Sequence, residues 1–185
     1  MEYLDIYNKY GEKTGEVIER DEAHRNGTCH RVIHLWIMNM QNEILIQNSI
    51  DDDVGMNFWY VSVGGHIESG ERIETTLIRE TKEELGLDIS HVTDFIEYLF
   101  TFKEHTVLNN GAYNEFEIYD VFALRFNFDL NQITLQKDEV ESVRLISYKD
   151  FKHALISKDK SFWHHDIGFK MLLIALDNFL GVEHS

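Results

Sequence analysis

The sequence predicts an α+β fold: a mixed β-sheet flanked by a few helices. Three observations carry this. Most apolar runs are short, β-branched or aromatic, as strands are. A single segment of helical period, residues 73–85, sits among them and ends at Gly86. Two more helical segments close the chain, so the order is strands, helix, strands, helices.

In order along the chain, residues 3–7 alternate weakly, and residues 15–20 can pair with them across a turn. Residues 31–38 and 43–47 flank a short polar step and read as a core hairpin. Residues 58–63 form one aromatic and β-branched strand that ends in Gly64-Gly65. Residues 95–104 and 115–126 are long strands around a polar loop, and 141–146 is a shorter one. Residues 148–156 and 169–180 have helical period. Proline is absent, so turns fall to Gly, Asn and Asp: Tyr10-Gly11, Asn26-Gly27, Asp51-Asp52-Asp53 and Asn109-Asn110-Gly111.

A length of 185 residues suits a single domain, here 1–185, with an N-terminal extension over 1–28 and C-terminal helices over 147–185. No apolar run approaches the roughly 20 residues of a membrane helix. The start, Met1-Glu2-Tyr3-Leu4-Asp5, is acidic and does not read as a secretory signal. One cysteine, Cys29, forms no internal disulfide and fits a reducing cytoplasm. A formal charge of −16 disfavours nucleic acid as a partner, because a phosphate backbone needs a basic stripe. A small anionic substrate fits if a metal screens it.

The chemistry-bearing stretch runs from Gly65 to Leu87. On a helix, Glu80, Glu83 and Glu84 lie three and four residues apart and share one face. Like charges at that spacing repel by about 0.2–0.5 kcal/mol per pair. Leu77, Ile78, Thr81 and Leu85 form the neighbouring face, which can pack on a sheet. A hard dication with oxygen preference offsets the repulsion. Gly64 and Gly65 let backbone approach a ligand and offer a carbonyl oxygen. Arg79 can pair with Glu71 or Glu83. A glutamate-rich helix on its own is ordinary solvated surface; the Gly-Gly entry, the Arg79-Glu80 step and the Gly86 stop set this one apart.

These residues resemble the signature of the Nudix hydrolase family: Gly65, Glu71, Arg79, Glu80, Glu83, Glu84, Gly86 and Leu87 stand in its order and spacing. Thr81 departs, being polar where the family prefers a bulky apolar residue. The resemblance implies a Nudix-type α/β/α sandwich with a mixed sheet, an N-terminal β-hairpin extension and C-terminal helices. It implies Glu83 and Glu84 as metal ligands, with Glu80 as a ligand or the base that activates water. Gly65 supplies a carbonyl ligand beside Gly64, and Glu71 and Arg79 orient the carboxylates. The implied cofactor is Mg²⁺ (or Mn²⁺), and the implied reaction is cleavage of a diphosphate linkage in a nucleoside diphosphate derivative or similar small molecule. Family analogy also allows a homodimer.

A second set of residues is similar to the isopentenyl-diphosphate isomerase branch of that fold. His24, His30, His66, Glu115 and Glu117 match its metal-binding pattern in order and kind. The isomerase cysteine, two residues before the turn histidine, is replaced here by Gly64. The chain therefore reads as a hydrolase of the isomerase-like branch. His66, His24, His30 and Gly64 are expected to touch substrate; Glu115 is a further ligand and Glu117 a candidate base, the two sharing one strand face. His24 and His30 are placed in a loop. Taken without the resemblance, lone histidines are surface or hydrogen-bonding residues. Trp36, Trp59 and Tyr60 read as core, residues 162–166 as a cap on the last helix rather than a pocket rim, and Asp51-Asp52-Asp53 as a solvated turn. Two other readings compete: isomerase-like chemistry and a non-catalytic nucleotide-binding module.

Overall fold

A computed structural model describes residues 1–49, 58–111, 113–137, 139–163 and 165–182. The Asp51-Asp52-Asp53 turn and His164 lie outside them. Strands β1 (Tyr3–Tyr7) and β2 (Lys13–Glu19) form an antiparallel N-terminal hairpin, as the sequence predicts. Helix α1 (Arg20–Asn26) follows. The main sheet comprises β3 (His30–Met38), β4 (Glu43–Ser49), β5 (Phe58–Tyr60), β6 (Val63–His66), β7 (Ile96–Leu108), β8 (Tyr113–Arg125) and β9 (Val140–Ser147). Its order is β5-β4-β3-β8-β7, with β6 also on β3 and β9 also on β4. β3 and β8 run parallel and their neighbours antiparallel, so the sheet is mixed.

Strand β3 sets the layers. Its residues alternate faces. Ile33, Leu35 and Ile37 pack towards Leu77 and Leu85 of α2 (Ile73–Leu85). Val32, Trp36 and Met38 pack towards α3 (Tyr148–Ser157) and α4 (Asp166–Leu180). The result is the α/β/α sandwich. α2 stops where Gly86 takes a left-handed φ of 68° and donates its N–H to the Lys82 carbonyl. Thr81 is fully buried in α2, and its hydroxyl donates to the Leu77 carbonyl at 2.7 Å. That bond satisfies the one polar group at an otherwise apolar position, so the departure at Thr81 is absorbed locally.

Three expectations are corrected. Residues 58–63 are not one strand: β5 pairs with β4, β6 pairs with β3, and the chain breaks at Val61-Ser62. Ser62 is buried and donates to the Leu45 carbonyl, while the Ile37 N–H donates to Ser62, so the break bonds both neighbouring strands. Gly64 and Gly65 lie inside β6, opposite His34 and Ile33, rather than ending a strand. His24 and His30 are not in a loop either. Glu19 caps α1, Gly27 closes it at a φ of 61°, and His30 begins β3 two residues later than Thr28.

Candidate active site

Two walls of one cavity meet beside β6. The first is the carboxylate wall. Thr76, Leu77, Thr81 and Leu85 bury one side of α2, which tilts Glu80 and Glu84 inward and leaves Glu83 half exposed. Arg79 is the hub. It donates twice to Glu71 (3.1 and 2.9 Å), once each to Glu80 (2.8 Å) and Glu83 (3.1 Å), and once to the His66 carbonyl (3.0 Å). Such a planar fork holds several acceptors in fixed relation. Thr76 donates to Glu71 at 2.8 Å. Burial favours protonated Glu71, but the bonds from Arg79 and Thr76 win and hold its carboxyl below the usual range.

Gly65 is essential to this wall for a steric reason. A Cβ there would stand 2.1 Å from Cδ of Glu80. The glutamate occupies the space that a side chain at 65 would need. Burial, resisted by Arg79 and assisted by Glu83, pushes the Glu80 carboxyl up to about 7. Burial and the Glu80 charge push Glu84 well above the carboxylate range. Gln47 donates to Glu84 at 3.3 Å, and its own Oε1 is buried with no partner among the described residues. Buried carboxylates raised by burial and mutual repulsion, next to an orphaned amide oxygen, are the donor set a hard divalent cation satisfies.

The second wall is built from histidines. The parallel register sets His30 beside Glu117, and the antiparallel register sets His66 beside Val32, one pleat along β3. α1 carries His24 above them. Ligand atoms of His24, His30, His66 and Glu117 all lie within 4.8 Å of one another. His24 and His66 approach at 3.1 Å through their Nε2 atoms, and Glu117 lies 3.3 Å from His30 and 3.6 Å from His66. His30 Nδ1 is 2.8 Å from the Thr28 carbonyl, to which it donates, leaving Nε2 as the inward lone pair. Burial favours a protonated Glu117, yet the His30 and His66 contacts hold it well below the usual range. Burial, with His66 and His30 adding to it, pushes His24 down to about 3, so its imidazole is neutral and able to ligate. Three imidazoles and one carboxylate suit a divalent transition metal.

Arg79, Glu80, Glu83 and Glu84 of the first wall and His66 and Glu117 of the second line one cavity of about 430 Å³, within the range of small-molecule sites. A NUDIX domain profile matches residues 28–165. The chain belongs to the Nudix family. It is 34% identical over 170 residues to Nudix hydrolase 3 of Arabidopsis thaliana, covering 90% of this chain. This chain spans 22% of that plant protein. It is 26% identical over 156 residues to isopentenyl-diphosphate Delta-isomerase of Shigella boydii, covering 83% of this chain and 81% of the enzyme. A crystal structure of a Deinococcus radiodurans protein superposes with a TM-score of 0.65 at 22% identity, covering 92% of this chain and 97% of that one. The chain thus has the Nudix fold and belongs to the Nudix hydrolase family, in which divalent metals are general.

The structure brings together Glu71, Arg79, Glu80, Glu83, Glu84, Gly64 and Gly65 on one wall and His24, His30, His66 and Glu117 on the other. Glu115 stands slightly apart: it lies 3.9 Å from His24 Nδ1 and accepts from the Tyr113 hydroxyl. Sequence reasoning missed several lining residues. Tyr60, read as core, faces the cavity, as do His34, Trp163 and His165. The cap reading of residues 162–166 is corrected: His165 precedes α4 but makes no side-chain cap bond, and its ring is spent on Tyr60 and Glu104. A signal for His34 existed: it shares a strand face with His30, two pleats on, and two histidines on one face of an apolar strand are unusual cargo.

Proposed function

We propose that this Nudix hydrolase cleaves the diphosphate linkage of a nucleoside diphosphate derivative or similar small molecule, with metal ions held by both walls. The observation that carries the reading is the convergence of two distinct donor sets on one cavity. Eight glutamates and two arginines line that cavity. Arg79 is already committed to the carboxylates. A diphosphate therefore gains little from the side chains alone and needs bound cations to enter.

Glu80, Glu83 and Glu84 would hold Mg²⁺ or Mn²⁺, with the backbone at Gly65 close by. His24, His30, His66 and Glu117 would hold a second, nitrogen-preferring divalent ion, with Glu115 supporting it through His24. Such ions, when bound, neutralise phosphate charge and polarise the attacking water. The chain's own residues do the rest. Arg79 and Glu71 fix the carboxylates, His66 joins the two walls through its carbonyl, and the buried strands exclude bulk water. The test is turnover of a panel of nucleoside diphosphate derivatives with Mg²⁺ or Mn²⁺. Glu84→Gln should abolish phosphate release; full activity in that variant would refute the assignment.

The histidine wall favours a second reading, isomerase-like chemistry on an isoprenoid diphosphate. Gly64 argues against it on chemistry rather than space. A Cβ at 64 would meet Val61 at 3.3 Å and His34 and Ile33 at 3.7 and 3.8 Å, so the position could hold a side chain but holds no thiol. Proton exchange at an allylic carbon without phosphate release would establish this reading instead.

A further inference from the structure

The three imidazoles of the histidine wall are oriented alike. Each turns Nε2 inward: His24 and His66 meet at 3.1 Å through these atoms, and Glu117 stands 3.3 Å from Nε2 of His30 and 3.6 Å from that of His66. Nδ1 is therefore the outer nitrogen of every ring, and each one faces an oxygen. His30 Nδ1 is 2.8 Å from the Thr28 carbonyl. His24 Nδ1 is 3.9 Å from Glu115, and His66 Nδ1 is 3.8 Å from Oε1 of Glu2. An oxygen behind the outer nitrogen keeps the ring proton there and leaves the inner nitrogen its lone pair. Two of these oxygens come from the turn before β3 and from β8. The third comes from the N-terminal extension, just ahead of β1.

Backbone bonds hold Glu2 in this place. Leu4 is fully buried and bridges to Glu68, and the Ser69 N–H donates to the Tyr3 carbonyl at 2.7 Å. The Ser69 hydroxyl adds a bond to Asp5 at 2.9 Å. Glu68 and Ser69 follow closely on His66, so the bonds that fix them to β1 also fix residue 2 near the His66 ring. Arg20, the first residue of α1, holds the other side. Its backbone N–H donates to the Glu2 carbonyl at 3.0 Å, and its Nε lies 3.5 Å from Oε2 of Glu2. The carboxylate is thereby divided: Oε2 faces Arg20 and Oε1 faces His66. Glu2 and Arg20 both line the cavity. A partly exposed ion pair of this kind adds little to stability, so its effect lies in where it points Oε1.

We propose that Glu2 is the outer partner of His66: its Oε1 holds the His66 proton on Nδ1 and aims Nε2 at the ion of the histidine wall. The N-terminal hairpin is then a working part of that metal centre. This rests on the reading above that His24, His30, His66 and Glu117 hold a divalent ion. Glu2 reaches the ion only through the ring, since it faces Nδ1 whereas Glu117 faces Nε2. It is a positioning residue. At 3.8 Å the pair is in ion-pair contact; closing by about 1 Å makes it an ordinary N–H···O bond, and rotation of either side chain supplies that. His66 is gripped at both ends: Arg79 donates to its carbonyl at 3.0 Å, and Glu2 faces its ring. Its backbone thus answers to the carboxylate wall and its ring to the hairpin.

The test is cobalt binding by the whole protein, read from the visible absorption of ligated Co²⁺ in competition with a chelator. Glu2→Ala should weaken Co²⁺ binding about 10–100-fold, the cost of losing an outer partner of a metal ligand. Glu2→Gln keeps the size of the side chain and one neutral acceptor. It should lose less than Glu2→Ala, and it carries the test if Glu2→Ala fails to fold. Nitrogen-15 NMR of protein without added metal, at alkaline pH where imidazoles are neutral, separates positioning from a merely structural role. His66 should carry its proton on Nδ1 in wild type and shift it towards Nε2 in Glu2→Ala, while His30, whose partner is Thr28, should not change. Unchanged Co²⁺ affinity in both variants, or lost affinity with the His66 proton still on Nδ1, would overturn the proposal. Failure of wild type to bind Co²⁺, or binding that His30→Ala leaves unchanged, would instead overturn the metal assignment on which it rests.

Discussion

The two walls of the cavity are built by opposite means. The carboxylate wall is local: Gly65 to Glu84 is one strand, one turn and one helix, and a single arginine, Arg79, ties five of its acceptor atoms together. The histidine wall is assembled from α1, β3, β6 and β8, so His24 and Glu117 meet across 93 positions of chain only because the strands pair in one register. A local site tolerates displacement of the sheet around it. A register-built site does not, because a one-residue slip turns each side chain to the other face.

That contrast can be broken most forcefully at Glu84. Glu84→Gln should cost more than the 10–100-fold that losing even an outer partner of a metal ligand costs, measured as turnover with Mg²⁺, while the histidine wall keeps its metal. Next comes Glu117→Gln, which removes the one carboxylate of the histidine cluster. Metal analysis of the purified protein should show loss of one transition-metal equivalent with Mg²⁺ binding at the other wall retained; simultaneous loss of both would mean that the walls form one site. Gly65→Ala sharpens the steric claim. The new Cβ displaces Glu80, so Mg²⁺ affinity by titration calorimetry should fall about 10–100-fold, and the fold should survive because the group that moves is the end of a side chain.

The smallest expected effect concerns pH. The Glu80 carboxyl stands at about 7 in the metal-free fold, above its ordinary value near 4.5. The folded state then binds more protons than the unfolded state between those values, so this group's contribution to stability falls as pH rises through that window. Denaturant titrations of metal-free protein should show a shallower decline between pH 4.5 and 7 in Glu80→Gln than in wild type. Mg²⁺ should stabilise wild type more at pH 7 than at pH 5, since protons compete with the ion. An unchanged slope in Glu80→Gln would place the titration elsewhere.

The same contrast explains what the sequence could reveal. The carboxylate wall was legible because its geometry follows from helical period and one glycine stop. The helix bounds, the shared face of Glu80, Glu83 and Glu84, and the pairing of Arg79 with Glu71 all follow from spacing. The histidine wall was legible only through resemblance, since no spacing rule relates His24 or His30 to residue 117. Even then the elements were misplaced: a seven-residue helix closed by Gly27 is too short to announce itself by periodicity. The contacts of Tyr60 were not legible. Tyr60 sits in an aromatic run whose composition says core; strand order brings His34 to it, and the segment entering α4 brings His165. The break between β5 and β6 was hidden too, because Val61-Ser62 carries no turn residue; the buried Ser62 hydroxyl makes the bond that permits it.

The most direct test of the central claim, that this cavity hydrolyses a diphosphate, is product mass after turnover in oxygen-18 water with Mg²⁺ or Mn²⁺. The account predicts one heavy oxygen in one phosphate-containing product from wild-type protein and none from Glu84→Gln. Unlabelled phosphate groups accompanied by deuterium exchange at carbon, or tight binding with no product across the panel, would contradict it.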